Sequence, residues 1–166
     1  VAATTKRVSI RAGRGVLPLH HPARVVEEWA VVDNISKGRA AVAFASGWMP
    51  EDFLLRPENA PPNNKSAMLR DIEVVRALWR GDKVAFEAPA GKTVEITTQP
   101  RPVQRELPVW LTTAGNPDTF REAGLRGYNL LTHLLGQSIE EVGKNIVIYR
   151  DALARSGRNP TEFTVT

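Results

Sequence analysis

Apolar positions along this chain change their period several times, and each change marks an element. Residues 8–12 read as a short strand, and 13–22 as a glycine- and proline-containing loop that ends in two histidines. From 22 to 35 the period becomes helical, with Val25 or Val26, Trp29, Val32 and Ile35 on one face and Glu27 and Glu28 on the other. Ser36, Lys37 and Gly38 close that helix, Gly38 serving as the left-handed terminator. Residues 40–45 are apolar throughout, the pattern of a strand covered on both faces. A turn at 46–50 leads into an irregular, acidic and proline-rich stretch to Asn64, which is either a functional lid or poorly ordered. Residues 65–80 form the next helix, with Met68, Ile72, Val75 and Trp79 on one face. Residues 84–87 and 93–98 pair as a hairpin around Pro89, Ala90 and Gly91, and Pro100, Arg101 and Pro102 break away from it. A strand at 109–111, a helix from Pro117, a strand at 128–133 and a helix over 138–156 follow, the last with Ile139, Val142, Ile146, Tyr149 and Leu153 in register. Residues 163–165 begin one more strand.

Strands alternating with helices imply right-handed βαβ units, hence an α/β fold with a parallel sheet and helices outside. A closed eight-fold barrel takes about 250 residues. The 166 residues here supply about five such strands, so periodicity alone leaves open sheet and barrel both standing. With 42% hydrophobic and 24% charged residues, the composition is that of one soluble domain. No cysteine is present, which excludes disulfides, thiolate nucleophiles and cysteine-ligated metals. No signal peptide or membrane-length apolar run is visible, so the expected location is cytoplasmic. The net charge of +4 is mixed among acids rather than gathered in a stripe, which argues against nucleic acid and leaves only a general attraction for a phosphorylated cofactor.

Candidate chemistry centres on 108–123, PVWLTTAGNPDTFREA, where an apolar strand passes through small residues directly into a helix. Pro117 suits the first helical turn, and the N–H groups of Asn116, Asp118 and Thr119 are expected to be free and to face one point. Unpaired donors and a partial positive charge at a helix start bind phosphate without a dedicated cation. The plainer alternative is that Asn116 only caps the helix. His20 and His21 stand side by side before Pro22, a spacing that does not converge on one metal, and no metal site is expected. His21 is expected to cap or pack. His133 is either a core histidine or, with Thr132, the border of a pocket at a strand end. Asp33 and Arg39 are expected to be structural and to pair across the turn, because a buried charge needs a partner.

Four segments carry a resemblance. LPLHHPARVVEEWAVVDNISKGR at 17–39, FASGW at 44–48, PRPVQRELPVWLTTAGNPDTF at 100–120 and NLLTHLLGQS at 129–138 resemble, in order, segments of the bacterial luciferase-like flavin-dependent monooxygenases, especially those of natural-product biosynthesis. The first ends in the family's Asp-x-x-Ser-x-Gly-Arg signature, here Asp33, Ser36, Gly38 and Arg39. The resemblance implies a (β/α)8 TIM barrel, present here as a partial barrel from about the third strand to the start of the seventh, with the hairpin as an insertion. Residues 1–166 would then be a single domain incomplete at both ends. Three departures stand out: Arg14-Gly15 where relatives carry small or β-branched residues at a strained, cis-type peptide, Lys37 in the signature, and 60–64 in the loop.

What the resemblance implies for function is a monooxygenase that uses reduced FMN, or a related deazaflavin, and O2 to oxygenate an organic substrate. Partners would be the flavin, that substrate, a flavin reductase and a second copy in a homodimer, with neither nucleic acid nor membrane. Functional groups of a barrel lie at the carboxyl ends of its strands. Ser46, Gly47 and Trp48 would approach the flavin, against the alternative of a plain turn with Trp48 in the core. Thr113, Ala114, Gly115, Asn116 and Thr119 would hold its phosphate, and Thr132 and His133 would border the substrate. No general base stands out; His20 and His133 are the weak catalytic candidates. Two other classes compete, a non-catalytic partial-barrel assembly module and a phosphate-ligand enzyme on another α/β fold.

Overall fold

The computed structural model describes residues 1–166. In chain order its main elements are β1 (Ile10–Val16), α1 (Pro22–Ser36), β2 (Ala40–Ala45), α2 (Asn64–Arg80), β3 (Val84–Ala88), β4 (Lys92–Ile96), β5 (Val109–Thr112), α3 (Pro117–Arg126), β6 (Asn129–Leu131) and α4 (Ile139–Arg155). They form two compact units, one of residues 1–11, 16–41 and 46–107, the other of 12–15, 42–45 and 108–166. None of the helices is long and apolar enough to cross a membrane.

In the first unit, His21 caps α1: its Nδ1 accepts from the Ala23 N–H at 3.3 Å, and Pro22 follows where a missing N–H costs nothing. The face that α1 buries is Val25, Val26, Ala30, Asp33 and Ser36, not the expected Trp29, Val32 and Ile35 stripe, and Ile35 is 51% exposed. The reason is polar. Asp33 is fully buried, and its Oδ2 accepts from the N–H groups of Val103 at 2.8 Å and Gln104 at 2.9 Å. Its Oδ1 accepts from Gln104 Nε2 at 2.7 Å, and that amide also donates to the Ala40 carbonyl at 2.8 Å. The expected Asp33–Arg39 pair does not form. Arg39 instead donates to the carbonyls of Ser36 and Thr5, both at 2.7 Å, and of Val8, so it ties the start of the chain to the end of α1.

The helix ends on two left-handed residues, Lys37 with φ 58° and Gly38 with φ 81°, so Gly38 shares the termination with a lysine. Along α2, Met68, Ile72, Val75, Leu78 and Trp79 are all buried as the period predicts, and Trp79 Nε1 donates to the Gln104 carbonyl at 3.0 Å. The stretch after β2 is folded rather than loose. Short 3-10 turns at Pro50–Leu55 and Pro57–Asn59 bury Phe53 and Asn59, and Asn59 Nδ2 donates to the Pro18 carbonyl at 2.9 Å. β3 and β4 pair antiparallel from Val84↔Ile96 to Ala88↔Lys92, as the hairpin reading expects.

The second unit is built on a sheet of order β1-β2-β5-β6. β2 and β5 run parallel with Phe44 opposite Leu111, and β5 and β6 run parallel with Leu111 opposite Leu130. Leu130 bridges Val165 in parallel, where a further strand begins. This is the parallel α/β arrangement of a partial barrel. β1 corrects the reading of 13–22 as loop, because Gly13, Arg14 and Gly15 continue the strand to Val16 with no cis bond. Glycine lacks a side chain to pack but keeps its ladder groups, so pairing overrides its turn tendency.

The helices α3 and α4 cross closely at Gly124, where a Cβ would lie 2.5 Å from the Tyr149 carbonyl. On α4 the buried residues are Asn145, Tyr149, Ala152 and Leu153, whereas Ile139 is 72% exposed and stands outside the expected stripe. Tyr149 donates to the Tyr128 carbonyl at 2.8 Å, and burial pushes its hydroxyl up to about 12.

Asp33→Ala strands several buried N–H donors and is expected to cost about 3 kcal/mol in urea unfolding, against about 0.5 kcal/mol or less for Ile35→Ala on the same helix. Tyr149 is neutral when folded and, once unfolded, ionises near its ordinary value of about 10. Its contribution is therefore complete below about pH 10 and lost as pH rises toward 12, and Tyr149→Phe should flatten the stability curve in that window.

Candidate functional site

At the β5 to α3 junction the chain turns on Gly115, whose φ of +102° lies in the left-handed region. Asn116 is extended, its side-chain oxygen accepts from the Asp118 N–H at 2.9 Å, and Pro117 opens α3. The capping reading of Asn116 is therefore correct. It also corrects the expectation of three free donors, because the Asp118 N–H is taken by that cap and the Thr119 N–H donates to the Asn116 carbonyl at 3.0 Å. The N–H groups of Gly115 and Asn116 have no acceptor within the chain. Those two are the cradle.

Its walls come from α4 and the turn after β6. Asn145 Nδ2 donates to the Gly115 carbonyl at 3.2 Å and pins the turn. Gln137 lies over Gly115 so closely that a Cβ there would come within 2.7 Å of Oε1. Gln137 Nε2 donates to the His133 carbonyl at 2.6 Å and to Thr132 Oγ1 at 3.4 Å, which fixes the amide orientation and leaves Oε1 buried without a donor. Ala114, Gly115, Pro117, Gly136, Gln137, Glu141, Lys144 and Asn145 enclose about 290 Å³. Two N–H donors, a helix start and a lysine suit an oxyanion, while the orphaned Gln137 Oε1 suits a hydroxyl donor. A phosphorylated polyol, such as the tail of a flavin, satisfies both at once.

The remaining expected residues are placed as follows. Thr113 and Thr119 are buried beside the cradle, and the Thr113 N–H donates to the Leu131 carbonyl at 3.0 Å. Thr132 pairs with the Thr166 carbonyl through its N–H, and His133 is half-buried with Nδ1 enclosed and unpartnered. In the first unit, Gly47 turns at φ +72° with its carbonyl held by Asn64 Nδ2 at 2.7 Å, and Ser46 Oγ lies 3.3 Å from that carbonyl. Trp48 is 79% exposed, so the core alternative for it is wrong. His20 is exposed, and its carbonyl accepts from Arg56.

The first unit has a larger cavity of about 840 Å³ between α2 and the hairpin, but its cations are spent: Arg56 meets Asp71 at 3.0 Å and Glu58 at 3.1 Å, and Arg70 meets Asp71 at 2.9 Å. Sequence reading missed Gln137, Lys144 and Asn145 as cradle residues. The Gly136-Gln137-Ser138 turn before a strong helix was the available signal.

The family described as luciferase-like monooxygenase matches over residues 1–166. The monooxygenase RslO1 from Streptomyces bottropensis is similar in structure, with TM-score 0.83 and 29% identity over 99% of this chain and 50% of that one. The oxygenase component of flavin-dependent trigonelline monooxygenase from Acinetobacter baylyi is 28% identical over 87% of this chain and 40% of its own length. The F420-dependent glucose-6-phosphate dehydrogenase of Nocardia farcinica is 27% identical over 92% of this chain and 44% of its own. The chain spans about half the length of the curated relatives it matches.

Gly115→Ala is expected to destabilise by about 1–2 kcal/mol from the left-handed φ alone. Adding Gln137→Ala should recover the crowding part of the loss but not the backbone part, as thermal unfolding of the single and double variants would measure.

Proposed function

Because this chain belongs to the luciferase-like monooxygenase family, we propose that it forms part of the barrel domain of a flavin-dependent monooxygenase of secondary metabolism, in which the β5 to α3 turn holds the flavin phosphate. The observation that carries this reading is the pair of unclaimed N–H groups at Gly115 and Asn116, set at a helix start beside an orphaned acceptor. Flavin, when bound, supplies the redox chemistry with O2, and the protein supplies binding and orientation.

The chain's own residues then divide the work. Gly115 and Asn116 donate to the phosphate, Thr113, Ala114 and Thr119 shape the turn beneath it, and Gln137 Oε1 accepts from a hydroxyl of the tail. Ser46, Gly47 and Trp48 keep the cofactor-facing role that the family resemblance implies. Thr132 and His133 border the organic substrate at the end of β6. A reductase delivering reduced flavin and a second copy in a homodimer are the partners this reading carries with it; the trigonelline relative is itself an oxygenase component.

Titration of the full-length protein with FMN, followed by quenching of flavin fluorescence, should saturate. Asn116→Pro removes one cradle donor together with the side-chain cap on α3 and should weaken FMN binding by at least about tenfold, whereas Asn116→Ala, which loses the same cap but keeps the N–H, should weaken it far less. Absence of FMN binding by the full-length protein would sink the proposal.

A further inference from the structure

The sheet of the second unit has two unlike faces. Phe44, Leu111 and Leu130 stand in one row across β2, β5 and β6, and all three are fully buried. On the other face Ala45, Thr112 and Leu131 are only half-buried, so that face opens toward the carboxyl ends of the strands. A Cβ on Gly15 would lie 3.5 Å from Val42 Cγ1 and 3.6 Å from Phe44 Cδ1, which sets Gly15 on the buried face. Side chains alternate along a strand, so Arg14 belongs to the open one. Its exposed guanidinium makes no ion pair and no hydrogen bond within the chain. Beside it β2 presents only the alanines Ala43 and Ala45 to that face, and β1, β2, β5 and β6 contain no Asp or Glu. Arg14 is also a position at which the sequence departs from the small or β-branched residues of the family it resembles.

We propose that Arg14 is a specificity-determining residue for the organic substrate, and that the class it selects is a carboxylate. The inference rests on the flavin reading above, in which the substrate meets the carboxyl ends of the barrel strands. A guanidinium presents N–H donors in a planar fork that matches the two oxygens of a carboxylate, and it stays charged at every working pH. Once a substrate covers this face and water leaves, an unanswered cation is costly. A carboxylate set against it makes charge-assisted bonds about twice as strong as neutral ones. No strand of this sheet supplies that anion, so the ligand does. Ala43 and Ala45 have no side chain beyond Cβ, which leaves space beside the guanidinium for the carbon skeleton of the substrate to lie along β2. An uncharged analogue leaves the cation bare and is rejected.

The test titrates benzoate and hexanoate, each beside its primary amide, into the FMN-loaded full-length protein and its Arg14→Met and Arg14→Lys variants, with binding read by calorimetry. In the unaltered protein at least one acid should bind about tenfold tighter than its amide. Arg14→Met should abolish that preference. Arg14→Lys, which keeps the charge but not the fork, should restore part of it, and FMN affinity should be the same in all three proteins. Absence of any acid preference in the unaltered protein, or an equal preference in Arg14→Met, overturns the substrate assignment and leaves the flavin reading intact. A loss of FMN affinity in Arg14→Met that matches the loss of acid binding overturns it as well, because the anion answered would then be the cofactor's. Failure of the unaltered protein to bind FMN overturns the flavin reading, and this inference with it.

Discussion

A buried carboxylate whose oxygens are met by four N–H groups, those of the Val103, Gln104 and Ala40 backbone and of the Gln104 side chain, is the constraint on which the first unit depends. Asp33 leaves the end of α1 and reaches the backbone of Val103 and Gln104, while the Gln104 amide closes the loop onto Ala40 at the start of β2. Removing a carboxylate from water is costly, and it is tolerated here because every acceptor site is answered. In return, the end of a helix and the first residue of the fully apolar strand that follows it are fixed to a run some seventy residues further along, the one that leads toward β5. This gives a physical content to the Asp-x-x-Ser-x-Gly-Arg signature. Asp33 binds the incoming run, Ser36 Oγ accepts from the Arg39 N–H, Gly38 turns left-handed, and Arg39 gathers carbonyls from the first residues.

In the second unit the corresponding role falls to close backbone approach. Gly124 lets α3 touch α4, and Asn145 and Tyr149 then tie α4 to Gly115 and Tyr128. The turn at Gly115 is thus held from below by β5 and from the side by α4. The phosphate role proposed for this turn requires such support, because backbone donors have no side-chain freedom to correct an error of position.

What could be read from residue order alone was what depends on near neighbours. The β5 to α3 junction, the α2 stripe and the hairpin all follow from spacing and turn chemistry over a few positions. The α1 face was misread because two of its buried residues, Asp33 and Ser36, are polar and answer to partners that hydrophobic periodicity does not register. β1 was cut short because its glycines signal a turn locally, while strand pairing is decided by β2. Ile139 fits the α4 period but lies in the first turn, beyond the end of its neighbour's cover. The family resemblance pointed to Gly115 and Asn116. It could not supply Gln137, Lys144 and Asn145, which reach the turn only through the crossing of α3 and α4.

The central claim is that the Gly115 and Asn116 N–H groups are the donors that receive a flavin phosphate. Amide nuclear magnetic resonance of the 15N-labelled full-length protein reads those two protons directly. Addition of FMN is predicted to move both resonances strongly downfield, as charge-assisted hydrogen bonds form, while riboflavin leaves them in place. Flavin binding that shifts resonances elsewhere and leaves Gly115 and Asn116 unmoved would contradict the account.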